Sequence, residues 1–253
     1  MPAVNDPNAC ARCADAGELG FEISMAFQPI VDLPSGTPVA YEALVRGPEG
    51  QGAGWVFERV SEGTQYRFDQ NCRTVAIRTA AELNLPCALH INFLPNAVYH
   101  PERCLRTTLA AASRHAFPTD RIVFELTEGE RVADKGHMRD IVEHYQSRGF
   151  RTAIDDFGAG YAGLNLLAAF QTDFVKIDME LIRDLPADPA RRTIVAGIVR
   201  ICADLGIEVI AEGIESTGER DVLLDLGVTR QQGYLFAKPA LGALPAVDPD
   251  ALP

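Results

Sequence analysis

No run of about 18 or more apolar residues occurs in the chain, so no segment reads as a bilayer-spanning helix. The N-terminus has neither a basic stretch nor the apolar core of an export signal, and the protein is expected in the cytoplasm, away from membranes. In a reducing compartment the six cysteines (Cys10, Cys13, Cys72, Cys87, Cys104 and Cys202) read as free thiols rather than a disulfide framework. Cys10 and Cys13 form one C-x-x-C with no second pair to complete a structural zinc site. The ordinary reading is a flexible tail with two exposed thiols; metal binding or redox sensing is the alternative. Positive charge is also in deficit, with 23 Lys and Arg against 35 Asp and Glu and a formal net charge of −12. That excludes a broad basic surface for duplex nucleic acid. It does not exclude a phosphate ligand, because divalent cations held by clustered acids invert the local field.

What the chain has instead is a series of short apolar runs that carry or end in polar groups. They are Val39 to Arg46, Leu89 to Phe93, Ile122 to Glu128, Ala153 to Gly160, Phe174 to Asp178, Val209 to Glu215 and Gln231 to Phe236. Between them lie stretches with helical spacing: Arg67 to Leu85, Met138 to Arg148, and Arg191 to Leu205, where Ile194, Val195, Ile198, Val199 and Cys202 share a face. Regular alternation of strand and helix over this length predicts an α/β fold, a TIM-like (β/α) barrel whose strand C-termini converge on one face. An earlier strand, Met25 to Asp32, is followed by Pro34-Ser35-Gly36-Thr37-Pro38, a turn too short for a crossover helix. The first two strands should therefore pair antiparallel, giving a modified barrel with one strand against the rest. The expected organisation is a tail or short appended element over residues 1–20, the barrel over 21–240 and a tail over 241–253.

Asp155 and Asp156 stand side by side where an apolar run meets a glycine-rich loop. Adjacent strand residues point to opposite faces, so two such carboxylates serve one site only where the strand ends and the chain twists. The bland reading is a solvated acidic strand end; it loses weight because Glu42, Asn92, Glu125 and Glu212 recur at equivalent places. Gathered at one barrel mouth, five carboxylates and an amide oxygen form a hard oxygen set suited to Mg²⁺ or Mn²⁺ rather than zinc. Two ions sharing a bridging carboxylate, about 3.5–4 Å apart, suit in-line displacement at phosphorus by an activated water. Lys176 reads equally well as a group orienting that water or as an interior ion-pair partner of the acids. Arg46 shares the strand direction of Glu42 and suits a phosphate oxygen, or a salt bridge at the strand end. Glu128 lies too far along for a first ligand and reads as an acid that holds a loop. Glu215 reads as similar, or as an acid favoured by a helix N-terminus.

These motifs in order resemble the EAL domain family: Glu42-Ala43-Leu44, Asn92, Glu125-Leu126-Thr127-Glu128, Asp155-Asp156-Phe157-Gly158, Lys176-Ile177-Asp178, Ala211-Glu212-Gly213-Ile214-Glu215 and Gln232-Gly233-Tyr234. The resemblance covers nearly the whole chain, from about Phe21 to Pro239. It implies a modified (β/α)8 barrel and a phosphodiesterase that linearises cyclic di-GMP to pGpG. By motif position it implies Glu42, Asn92, Glu125 and Asp155 as ligands of one metal, and Asp155, Asp156 and Glu212 as ligands of a second. Lys176 would position the attacking water, Gln28 and Arg46 would contact substrate, and Gln232 would order the site. Glu128 would fix the loop after Asp156, which in the family also lies at a homodimer interface. Relatives that have lost such groups act as cyclic di-GMP receptors or partner-binding regulators; this chain keeps every one that can be placed. EAL domains are often joined to a GGDEF or sensory module. None is read in these residues, as expected for a stand-alone enzyme or a piece of a longer chain.

Overall fold

The turn after the first strand sets the barrel's one irregularity. Asp32 accepts from Ser35 N through its Oδ2 at 3.1 Å and from Gly36 N through its carbonyl at 2.9 Å, while Gly36 takes the left-handed φ of +65° that favours glycine. The reversal brings β1 (Ser24–Asp32) back along β2 (Thr37–Arg46) antiparallel, with Gln28 opposite Glu42. In the computed structural model, which describes residues 19–98, 100–127, 135–160 and 163–253, the remaining strands follow in chain order. They are β3 (Ala88–Asn92), β4 (Ile122–Thr127), β5 (Arg151–Phe157), β6 (Phe174–Ile177), β7 (Glu208–Ala211) and β8 (Arg230–Gln231), each parallel to the last. Since β1 pairs antiparallel with both β2 and β8, the sheet closes into an eight-stranded barrel with one reversed strand, as the short turn predicts. A ninth short strand, β9 (Ala240–Leu241), pairs antiparallel with Ala26 and Phe27, on the edge of β1 that β8 takes at Val31 and Asp32.

Helices alternate with the strands: α1 (Ala53–Phe57), α2 (Gln65–Glu82), α3 (Pro101–Arg114), α4 (Lys135–Ser147), α5 (Gly163–Ala169), α6 (Met179–Ile182), α7 (Pro189–Leu205) and α8 (Thr217–Asp225). Their starts are written in local chemistry. Asp188 caps α7 by accepting from Ala190 N and Arg191 N, Pro189 occupies the first turn, and Gly206 ends the helix at φ +73°. Ser216 and Glu219 form a capping box at α8.

Outward strand residues such as Leu89, Ile91, Phe124, Ile154 and Val175 pack with helix residues such as Phe68, Ile77, Ile141 and Val195 in the main core. Inside the barrel a smaller layer of Ile30, Ala40, Ala88, Val123, Ala153, Phe174 and Ile210 forms an apolar floor. Among the described residues no helix is long and apolar enough to cross a membrane, and Cys72, Cys87, Cys104 and Cys202 are free thiols.

Three local readings change. Ile194 on α7 is half exposed, so the apolar face of that helix is wider than the face it buries. Of the last run only Gln231 lies in the sheet, with Arg230 before it, because beyond it the chain packs on the 212–215 loop instead. The segment after Leu241 is largely irregular but docked: Tyr41 donates to Pro245 O at 3.0 Å, and the buried Arg220 donates to Ala251 O at 2.7 Å.

Candidate active site

Strand periodicity builds the site directly on the apolar floor. Two residues beyond Ala40, Ala88, Val123, Ala153, Phe174 and Ile210 stand Glu42, His90, Glu125, Asp155, Lys176 and Glu212; two residues before Ile30 on the reversed strand stands Gln28. Side chains two apart share a face, so the polar layer faces the same axis as the floor.

At its centre is Lys176, which is fully buried. Its Nζ lies 2.5 Å from Glu212 Oε1, 2.8 Å from Glu125 Oε1, 2.9 Å from Asp155 Oδ1 and 3.3 Å from Glu42 Oε2. Burial opposes the lysine's charge, but Asp155, Glu125, Glu212 and Glu42 outweigh it and hold the ammonium well above the ordinary lysine range. One cation cannot neutralise four acids. Burial, with the neighbouring carboxylates, pushes Glu125 and Glu212 well above the usual carboxylate range despite Lys176. Glu42 is held below that range in spite of burial by Lys176 and by hydrogen bonds from Gln232 and Asn92.

The amides act as a frame for Glu42. Asn92 donates to its Oε1 at 2.8 Å and Gln232 to its Oε2 at 2.8 Å. Gln232 also donates to Gln28 Oε1 at 3.2 Å, and Gln28 donates to Ala237 O at 3.1 Å. The Asn92 amide nitrogen is thus committed to Glu42, which leaves its carbonyl oxygen as the atom available to a cation.

Asp156 reaches the cluster by a break in strand regularity. Its φ is +53°, and the β5–β6 register shifts between Ile154 and Phe157. Aspartate tolerates the left-handed region better than most residues, so it takes this position where a bulge re-aims its side chain. Two residues on, Gly158 stands at φ +101°, where a Cβ would lie 2.3 Å from Leu181 Cδ1. The expected twist is therefore shared between an aspartate and a glycine. Burial, Asp155 and Asp178 push the Asp156 carboxyl up to about 6.

The donor set fits a pair of divalent cations. Glu42, Glu125 and Asp155 offer oxygens within 4.8 Å of one another, and so do Asp155, Asp156 and Glu212, with Asp155 common to both groups. Glu125 Oε2 is buried without a hydrogen-bond partner, a position a cation would satisfy. Two cavities open beside these acids and meet at Glu42 and Asp156. The larger, about 310 Å³, is lined by Arg46, Phe57, Phe68, Asn92, Leu94 and Thr127 among others. The smaller, about 250 Å³, is lined by Gln28, Asp178, Met179, Glu212, Gln232 and Tyr234 among others. Gly213 and Gly233 let its loops interlock: a Cβ on Gly213 would lie 2.4 Å from Met179 Cβ, and one on Gly233 would lie 2.1 Å from Ile214 O.

The fold thus gathers Gln28, Glu42, Arg46, Asn92, Glu125, Asp155, Asp156, Lys176, Glu212 and Gln232. Arg46 is half buried at the end of β2 and donates to Val45 O at 2.8 Å. Glu128 and the Cys10/Cys13 pair lie outside the described residues. Glu215 stands one residue before the α8 cap and pairs with Arg183. Sequence reasoning passed over His90, whose Nδ1 lies 2.6 Å from Glu125 Oε1. Burial, with Lys176, Arg151 and Arg230, holds its imidazole well below the usual histidine range, hence neutral. Counting back two residues from Asn92 was the available signal. Tyr234 and Met179, exposed at the rim of the smaller cavity, carried no comparable one.

The chain matches the EAL domain profile over residues 15–239. A standalone EAL protein from Vibrio cholerae O395, solved in a c-di-GMP bound form, superposes with a TM-score of 0.90 at 53% identity, covering 92% of this chain and 99% of that one. The blue light- and temperature-regulated antirepressor BluF of Escherichia coli is 32% identical over 88% of this chain and 55% of its own length. The cyclic di-GMP phosphodiesterase RocR of Pseudomonas aeruginosa is 30% identical over 64% of this chain and 41% of its own. The chain thus spans about half the length of these two curated relatives, or less. With the profile running through nearly all of the barrel and the acids and amides of its motifs assembled at one mouth, the chain belongs to the EAL domain family.

Proposed function

We propose that the protein is a metal-dependent phosphodiesterase that opens cyclic di-GMP to linear pGpG. The observation that carries this reading is the pair of carboxylate groups joined at Asp155 and wrapped around Lys176. Glu42, Asn92, Glu125 and Asp155 would hold one Mg²⁺ or Mn²⁺, and Asp155, Asp156 and Glu212 a second. Such ions supply Lewis-acid stabilisation of phosphoryl oxygens and make water nucleophilic near neutral pH.

The chain's own groups supply position and charge. Lys176 stays protonated across the working pH range and donates from the floor of the site, with Glu212 at its side, toward the attacking water. Arg46, at the rim of the larger cavity, suits a phosphate oxygen. Gln232 and Gln28 keep Glu42 in one orientation. Glu128 is assigned the loop-holding role on its motif position alone. In the reaction the water oxygen joins phosphorus, one of the two phosphodiester bonds breaks, and a proton passes to the departing ribose oxygen. Two cavities meeting at the acids suit a ligand with two nucleobases on either side of a phosphodiester.

A second reading is a catalytically weak cyclic di-GMP receptor or partner-binding regulator, the latter favoured by similarity to the antirepressor BluF. The complete acid set weighs against it, since a receptor need not keep metal ligands. We also propose that the protein works as a homodimer through the loop after Asp156, which light scattering would test. The main reading is tested by incubating the protein with cyclic di-GMP and Mg²⁺ or Mn²⁺ against an EDTA control. Metal-dependent pGpG is expected, and nucleotide binding without product in either metal would favour the receptor.

A further inference from the structure

We infer that His90 is a positioning residue for Glu125: its Nδ1–H fixes one carboxylate oxygen so that the other is presented to the cation site. The inference rests on the metal-site reading above and concerns a residue outside the acid and amide set.

His90 is fully enclosed, with 2% of its surface exposed. Its ring sits on Phe174 of the apolar floor, centroids 5.7 Å apart, and its Nδ1 meets Glu125 Oε1 at 2.6 Å. The same oxygen is 2.8 Å from Lys176 Nζ. Oε1 therefore has the His90 hydrogen bond and the Lys176 ammonium beside it, while Oε2, equally buried, has no hydrogen-bond partner. That asymmetry suits a carboxylate that binds a cation through one oxygen, with the other anchored. Lys176 alone is a poor anchor, because its ammonium is shared with Glu42, Asp155 and Glu212. Among the described acids the imidazole meets Glu125 alone, and its packing on Phe174 helps hold the ring in place. Outer hydrogen-bond partners of this kind set ligand orientation and hence affinity.

The competing reading is a space-filling histidine whose contact with Glu125 is incidental. Two variants separate them: His90→Leu keeps apolar bulk and removes the donor, while His90→Asn can place an amide N–H near the Nδ1 position. Mn²⁺ binding to metal-stripped, nucleotide-free protein would be measured by calorimetry, with thermal midpoints of the metal-free forms alongside. We expect His90→Leu to bind Mn²⁺ about 10–100-fold more weakly, His90→Asn to keep most of the affinity, and the Leu midpoint to hold. Equal affinity in His90→Leu, or equal losses in both variants, would overturn the inference while leaving the metal site standing. Wild type that binds no Mn²⁺ would remove the site and the inference together. Should His90→Leu not fold, ¹⁵N NMR of the Mg²⁺-loaded wild type decides. A protonated Nδ1 on His90 is expected, and a bare Nδ1 overturns the assignment.

Discussion

Asp155 and Asp156 are neighbours on one strand, yet both present a carboxylate oxygen to Glu212 within 4.8 Å, because Asp156 stands at φ +53° where β5 slips register against β6. A regular strand would have sent the second carboxylate into the helix layer. The overlap of the two carboxylate groups at Asp155 depends on this bulge.

Gly158 supports it, so Gly158→Ala is expected to destabilise the fold. The φ of +101° is hostile to a side chain and the new methyl would strike Leu181. A loss of about 1–3 kcal/mol is expected, read by urea denaturation, with metal affinity falling in step. An unchanged midpoint would mean that the loop adapts freely.

Lys176→Met should lower stability mainly in the absence of metal. Removing the ammonium leaves Glu42, Glu125, Asp155 and Glu212 without their shared counter-ion. Breaking a buried charge network by removing one partner costs about 3–5 kcal/mol. Thermal melts should show a large drop in the metal-free variant that Mn²⁺ largely restores, while hydrolysis stays lost.

Much of this was legible beforehand. The turn from Pro34 to Pro38 announced the reversed strand because chain length alone forbids a crossover helix. The acids were visible because each ends an apolar run, where charge is costly unless used. His90 was hidden by its setting: a histidine inside the run Leu89 to Phe93 looks like core filling until its register with Asn92 is counted. The shortness of β8 and the docking of the C-terminal segment were not legible. Both depend on backbone partners remote in sequence, such as Ile214 O accepting from Leu235 N and Ala251 O accepting from Arg220.

Metal affinity should fall as pH drops through about 6, the value to which burial and Asp155 raise Asp156. The same group has a sign in folding. Its pKa is near 3.9 in the unfolded chain, so between about 4 and 6 the folded state binds more protons and metal-free stability rises as pH falls. Glu125 and Glu212, raised in the same direction, add to the trend. Calorimetry at pH 7 and pH 5.5, with urea melts of the stripped protein, checks both signs.

Glu42→Ala removes an acid that receives Asn92, Gln232 and Lys176 together. Pairs around the remaining acids stay, so the fold should persist. Turnover should drop by more than about 100-fold, beyond the loss typical of an outer partner alone. Chromatography of pGpG together with a circular dichroism melt would read it, and full turnover would remove Glu42 from the site.

The most direct test of the central claim is anomalous diffraction at the manganese edge from crystals grown with Mn²⁺ and cyclic di-GMP. Two peaks about 3.5–4 Å apart, bridged by Asp155, with Glu42, Asn92 and Glu125 on one and Asp156 and Glu212 on the other, are predicted. No peak, or a single one away from Asp155, would contradict the account.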